Sequence, residues 1–220
     1  MAAFPEIDAI LGEPEVLPDG ALRWWSRDVD DALNERVRAL GMHRVRHLHQ
    51  MRRSLPLDAD LVSGAAPIIT RTFAPGIDDV GWVTLNAEAF AQHPEQSSWT
   101  IEDLHRLMWE SWFDPEDFLL VERDGVTIAF NWMKHHADAS PRIGEIFVIG
   151  VHPSAAGRGI GRALAITGLE RIWDRHHPPV GMLFVEADNT PALRLYESLG
   201  FTIDHSEAAY ERGTSPGAPG

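Results

Sequence analysis

A mixed α/β fold, with an antiparallel hairpin leading into its sheet, is predicted by three features of the sequence. Segments of helical and strand periodicity follow one another from residue 78 onward in the order α-α-β-β-β-α-β-α-β. Two apolar runs flank Asp124-Gly125, a dipeptide suited to the left-handed positions of a type I′ turn. The third strand runs through alternating glycines, Gly157, Gly159 and Gly161, straight into a helical stripe.

Each element has its own local reason. Asp78 is placed to cap a helix through Ala91, and Thr100 with Asp103 forms a capping box for a second helix ending near Ser111. Phe118–Glu122 and Val126–Lys134 form the hairpin. Glu145–Val151 reads as the third strand, stopped by Pro153, and residues 160, 163, 164, 169, 172 and 173 make the apolar stripe of a helix from Ile160 to Arg175. Met182–Ala187 is a fourth strand, Thr190–Leu199 a short helix closed by Gly200, and Phe201 begins a last strand. Toward the N-terminus, Asp30–Leu40 reads as a helix with Gly41 as C-cap, followed by a strand over Arg44–Met51.

Pro56, Gly64 and Pro67 break the pattern between Leu55 and Ile69. They divide the chain into residues 1–66, a main block over 67–212 and a Gly/Pro-rich tail over 213–220 that is expected to be disordered. One helix and a strand or two cannot bury a core alone. The N-terminal piece must therefore pack on the main block, pair with another chain, or be a remnant of something larger.

Composition narrows the function. The chain has 220 residues, 44% of them hydrophobic, and carries 19 basic against 33 acidic residues for a net charge of −14. Such a surface repels phosphate backbones and anionic lipids, so neither a nucleic-acid nor a membrane partner is expected. An anionic small molecule is still allowed, because backbone amides at a helix N-terminus hold phosphates without a basic surface. With no cysteine there is no disulfide, thiolate metal site or cysteine nucleophile. No apolar run reaches the roughly 20 residues of a membrane span, and the N-terminus lacks the build of a secretory signal, so a soluble, cytoplasmic protein is expected.

Two constellations carry chemistry. The glycine turn directs N–H groups to one spot at the positive end of a helix, an arrangement suited to a pyrophosphate. It is not the dinucleotide fingerprint, since Arg162 stands where the third glycine would be, and no Walker lysine follows. Without a ligand, the same turn is simply a tight strand-to-helix connection. The second constellation is Val185–Phe201, where a strand ends at Asp188-Asn189 and a helix carrying Tyr196 begins at once. A tyrosine so placed also serves as a boundary residue with its hydroxyl in water. His93, His135 and His136 make no metal site by spacing, because adjacent strand residues point to opposite faces.

Together the two segments resemble the GNAT acetyltransferase family: V-x-P-x-x-x-G-x-G-x-G over Val151–Gly161, then N-x-x-A-x-x-x-Y-x-x-x-G-F over Asn189–Phe201. The resemblance implies the GNAT fold with a short N-terminal helix-strand extension, and acetyl-CoA as co-substrate without a metal. It places pantetheine contacts on a splayed strand at Ile149, Gly150 and Val151. Pyrophosphate contacts fall on Ala156, Gly157, Arg158, Gly159, Ile160, Gly161 and Arg162, with further contacts at Asn189, Thr190, Ala192 and Arg194. Ala156 departs from the pattern, which usually has Gln or Arg there.

A closer resemblance, to mycothiol synthases, runs through AFAQHPEQSSWT (89–100), WFDP (112–115), FNWMKH (130–135), Gly144–His152 and Val185–Asn189. That family acetylates the cysteinyl amine of Cys-GlcN-inositol and usually carries two GNAT-like domains, the C-terminal one catalytic. The resemblance makes residues 1–66 a remnant of the first domain plus linker, and 67–212 the catalytic domain. VRHLHQMRRSLPL (45–57) is similar to the end of that first domain. It implies Glu145 as general base, Tyr196 as the acid that protonates the departing thiolate, and Glu95, Lys134, Glu145 and Phe184 as substrate contacts. Phe184 stands where the family tends to have tyrosine. A solvated strand-end carboxylate remains the other reading of Glu145, as do a loop charge for Glu95 and a solvent-seeking side chain for Lys134. The expected partner is a small amine, on a monomer or homodimer. Acetylation of another amine or a protein N-terminus, and a non-catalytic acyl-CoA-binding module, stay open as alternatives.

Overall fold

In a computed structural model, residues 4–17, 20–27 and 29–212 are described, apart from the side chains of residues 94 and 95. The tail expected to be disordered (213–220) lies outside the described residues. In chain order the elements are α1 (Pro5–Leu11), β1 (Glu15–Val16), β2 (Leu22–Ser26), α2 (Asp31–Ala39), β3 (Met42–Ser54), α3 (Ala59–Ser63), β4 (Arg71–Thr72) and α4 (Asp79–Ala89). They continue with α5 (Pro94–Ser97), α6 (Ile101–Met108), β5 (Phe118–Arg123), β6 (Val126–His136), β7 (Ile143–Val151), α7 (Ile160–His176), β8 (Val180–Glu186), α8 (Thr190–Ser198) and β9 (Thr202–Arg212). The predicted mixed α/β class holds.

The chain divides into two compact units, one of residues 1–51 and 184–220, the other of residues 52–183. In the second, the strands run β8-β7-β6-β5-β4. The β5–β6 turn has Asp124 at φ 53° and Gly125 at φ 76°, the backbone that Asp-Gly predicts. The pair β6–β7 is antiparallel, whereas β7 and β8 pair in parallel. One face of this sheet carries an aromatic core. Trp82 of α4 meets Phe118, Phe130 and Trp132 edge-on at 5.4–5.7 Å, and Phe118 stacks on Trp132 at 4.6 Å. α7 covers the other face, and Gly168 makes its close approach to β6 possible. A Cβ there would lie 2.2 Å from Asn131 Nδ2, whose amide instead donates to the Leu164 carbonyl at 3.0 Å.

The capping box at Thr100 forms as expected, but α6 ends at Met108 rather than near Ser111. Asp78 stands at the N-cap of α4 without capping it through its side chain. Its carboxylate is taken by both ends of the Arg71 guanidinium (2.7 Å) and by the Ala74 amide (2.7 Å). The bidentate guanidinium occupies both oxygens, and this Arg71 partner holds Asp78 below the usual carboxylate range.

In the first unit the N-terminal elements meet the last strand of the chain. β9, from the far end of the chain, pairs antiparallel with β2, Trp24 opposite Tyr210, and the order within the unit is β1-β2-β9-β3. Its core gathers Ile7, Trp24, Val37, Met42, Ala208 and Tyr210. Two buried polar tips find partners: Trp24 Nε1–H donates to Asp8 at 3.0 Å, and the Tyr210 hydroxyl donates to Asn34 at 2.8 Å.

Candidate active site

The site residues expected from the sequence fall in both units. In the second unit, β7 carries most of them. Its parallel pairing with β8 ends at Ile146↔Leu183, yet β7 continues to Val151. The stretch holding Ile149, Gly150 and Val151 therefore pairs only with β6, and no strand pairing occupies its other edge among the described residues. Backbone groups on such an edge are available to a ligand. The strand then enters the glycine turn. Gly157 and Gly159 have φ of 75° and 77°, a conformation that side chains resist. Gly159 is the N-cap of α7, and no side chain caps that end. The first N–H groups of a 17-residue helix are thus left without side-chain partners, where its dipole favours an anion. Arg158 and Arg162 have no carboxylate partner among the described residues, whereas Arg171 and Arg175 of the same helix are engaged by Glu116, Asp114 and Asp117. Ala156 is exposed beside them.

At the other end of β7 the chemistry is in side chains. Glu145 is buried, at 7% exposure, and lies directly opposite Lys134 of β6, so both side chains share one sheet face. His136, two residues along the same face, donates from Nε2 to Glu145 Oε2 at 2.6 Å. His135 points the opposite way and stacks on His176 of α7 at 4.3 Å, as strand alternation requires. Between Trp132 and Met133 the register slips by one: Trp132 faces Val148 while Met133 faces Ile146, leaving Phe147 as a bulge. Consequently Phe147 and Val148 both pack against the aromatic core. The Lys134 ammonium lies over Trp112 at 4.4 Å from the ring centre and over Phe147 at 5.5 Å, instead of snorkelling into solvent. His136 and Trp112 were given no such roles by sequence reasoning. The signal for His136 was its same-face spacing from Lys134; nothing local announced Trp112 as a neighbour of that ammonium.

Glu95 belongs to α5, and its side chain lies outside the described residues. His93, one of the rejected metal candidates, caps α5 by accepting from the Gln96 amide at 3.2 Å. Asp114, Asp117 and His176 lie close enough together to suggest cation ligands, but Arg175 bridges both carboxylates and His176 bonds Asp117 at 2.7 Å.

In the first unit, α8 holds Asn189, Thr190, Ala192, Arg194 and Tyr196. Asn189 is the N-cap, its Oδ1 accepting from the Ala192 amide at 3.2 Å. Thr190 and Arg194 are exposed. Tyr196 is buried against Phe201, with 6.0 Å between ring centres, and burial pushes its phenol up to about 12. It therefore stays protonated throughout the neutral range. Phe184 of β8 is 37% exposed, a bare ring facing out of a strand that is otherwise largely buried.

A profile described as Acetyltransferase (GNAT) family matches residues 82–201, more than half of the chain. The chain belongs to the GNAT acetyltransferase family. A relative from Acidothermus cellulolyticus named mycothiol acetyltransferase is 46% identical, with 97% of this chain and 68% of the relative covered. One of the same name from Thermomonospora curvata is 49% identical, covering 87% of this chain and 64% of the relative. The chain thus spans about two thirds of the length of these curated relatives. Among solved structures, a GCN5-related N-acetyltransferase from Sphaerobacter thermophilus aligns with a TM-score of 0.71 at 25% identity, over 89% of this chain and 60% of that one. The PaiA N-acetyltransferase of Thermoplasma acidophilum, solved in complex with coenzyme A, shares the fold with a TM-score of 0.51 at 18% identity, over 67% of this chain and all of that one. These likenesses place the GNAT chain among the N-acetyltransferases. No helix among its described residues is long and apolar enough to cross a membrane.

Proposed function

We propose that this chain transfers the acetyl group of acetyl-CoA to a primary amine, and that the amine is the cysteinyl amine of Cys-GlcN-inositol. The observation that carries the reading is the build of β7. It has a buried carboxylate near one end and, beyond its other end and the glycine turn, an uncapped helix N-terminus. Glu145 and Val151 lie about 20 Å apart at the rise of an extended chain, and the edge from Phe147 to Val151 carries no β8 pairing. That separation suits a co-substrate whose charged diphosphate and reactive thioester are joined by a long, hydrogen-bonding pantetheine arm.

The residues fit such a molecule by the chemistry they offer. The free amides of Gly159 to Gly161, with Arg158 and Arg162, would hold the pyrophosphate, and the Ile149–Val151 edge would bond the amide groups of the arm. Ala156 supplies only its backbone, which suffices where amides provide most of the binding. Asn189, Thr190, Ala192 and Arg194 are proposed as further contacts from α8.

Acetyl transfer forms a C–N bond and breaks a C–S bond, so one proton must leave the amine and one must reach the thiolate. Glu145 takes the first, directly or through one water. A backbone N–H near Ile149 or Gly150 donates to the oxyanion of the tetrahedral intermediate. Tyr196, kept neutral by burial, gives the second proton to sulfur. Glu95 and Lys134 are proposed to contact the polar acceptor. Two-thirds coverage of relatives named mycothiol acetyltransferase at 46–49% identity supports the acceptor's identity. The exposed Phe184 ring favours a second reading, a different small amine, because it offers no hydroxyl to a sugar.

Incubating the protein with acetyl-CoA and Cys-GlcN-inositol, alongside a panel of other amines, and following release of the CoA thiol tests both readings. Release with Cys-GlcN-inositol alone is the expected result. Release only with other amines removes the proposed acceptor, and no release despite tight CoA binding removes the enzyme reading.

A further inference from the structure

We propose that His136 is a positioning residue for Glu145: it occupies one carboxylate oxygen so that the other faces the acceptor amine. The inference rests on the reading of Glu145 as the general base. Glu145 is nearly enclosed, its side chain 10% exposed, and its partner His136 is 29% exposed. The 2.6 Å bond runs from His136 Nε2 to Oε2, and Oε1 has no partner among the described residues. A carboxylate free to rotate about its last bond would present either oxygen and a range of angles. One strong bond from the imidazole to Oε2 favours a single presentation.

Backbone geometry explains why His136 alone can do this. In the antiparallel β6–β7 pair, the residue directly opposite Glu145 is Lys134, and the diagonal neighbour on the same face is His136, opposite Ile143. Lys134 is drawn aside, its ammonium over the Trp112 and Phe147 rings. The carboxylate is therefore left to the imidazole. His135 cannot substitute, since it lies on the α7 face stacked on His176. The arrangement separates two tasks on one strand face: the histidine orients the base, and the lysine remains available to a polar acceptor.

The test compares steady-state kinetics of the full chain with His136→Ala, His136→Gln, Glu145→Gln and the double variant His136→Ala/Glu145→Gln, using the amine that the wild type acetylates best. His136→Ala should lower kcat on the order of tenfold through misorientation, with KM for acetyl-CoA unchanged. His136→Gln, whose amide can donate to Oε2 from nearly the same place, should restore most of that loss. The double variant should be no slower than Glu145→Gln alone, because the histidine has nothing left to orient. In ¹⁵N-histidine NMR spectra, which report on the pair irrespective of turnover, the His136 ring signals should shift in Glu145→Gln.

Multiplying losses in the double variant, no rescue by glutamine, or ring signals that ignore Glu145→Gln would each overturn the proposal. The outcomes separate it from its premise. Full activity in Glu145→Gln removes the general base and the inference with it. An inactive Glu145→Gln beside a fully active His136→Ala removes only the role of the histidine.

Discussion

The two ends of β7 solve different problems by different means. At the Val151 end, the groups on offer are backbone amides: an unpaired strand edge, a turn held open by Gly157 and Gly159, and the first N–H groups of α7. At the Glu145 end they are side chains whose placement depends on register: Glu145 opposite Lys134, His136 on the diagonal, Phe147 pushed out by a bulge. Backbone binding recognises what every acyl-CoA shares and tolerates changes of side chain. On the proposed reading, side-chain chemistry selects the reaction and the acceptor, so a single substitution should alter it.

The comparison breaks if the two ends fail to respond separately. The largest expected effect is Glu145→Gln, which should lower kcat by about 10²-fold or more, the range of a lost general base, while calorimetry finds CoA affinity unchanged. A loss of CoA affinity of similar size would mean that the two ends are one site. Next is Gly159→Val. Forcing a branched residue to a φ of 77° costs about 1–2 kcal/mol, so CoA should bind about tenfold more weakly by calorimetry, provided the turn is needed for binding.

Lys134→Met should raise KM for the amine a few-fold and leave CoA affinity alone, the effect of losing one polar contact to the acceptor worth about 1 kcal/mol. If it altered neither constant, the lysine would have only a packing role. The smallest effect is expected from Ala156→Arg, which adds a cation beside the turn. A gain in CoA affinity of about two- to fivefold, falling with salt, fits a cradle already built from amides. A gain of 100-fold would show that side chains matter there as much as at the Glu145 end.

The turn end of the site was legible in the sequence because its requirements are local. Alternating glycines are demanded by the positive φ values at Gly157 and Gly159, and Asn189 caps α8 three residues before the amide it accepts from. The hairpin was legible for the same reason, Asp124 and Gly125 both being left-handed. The His136–Glu145 pair was not, since it depends on which residues of β6 and β7 come opposite each other, and the bulge at Phe147 shifts that register by one. Asp78 looked like a cap until Arg71, seven residues away in sequence, supplied a charged partner.

The sequence by itself determined the mixed α/β class, the strand–turn–helix that can hold an anion, and the family resemblance carried by residues 151–161 and 189–201. These rest on φ preferences, capping and periodicity, which act over a few residues. Only the tertiary structure decided that β9 pairs with β2, that Lys134 rests on Trp112 and Phe147, and that one oxygen of Glu145 is held by His136. Each of these joins residues through strand register or side-chain packing across separate elements. No local preference encodes such contacts; they follow from burying the aromatic and apolar faces together.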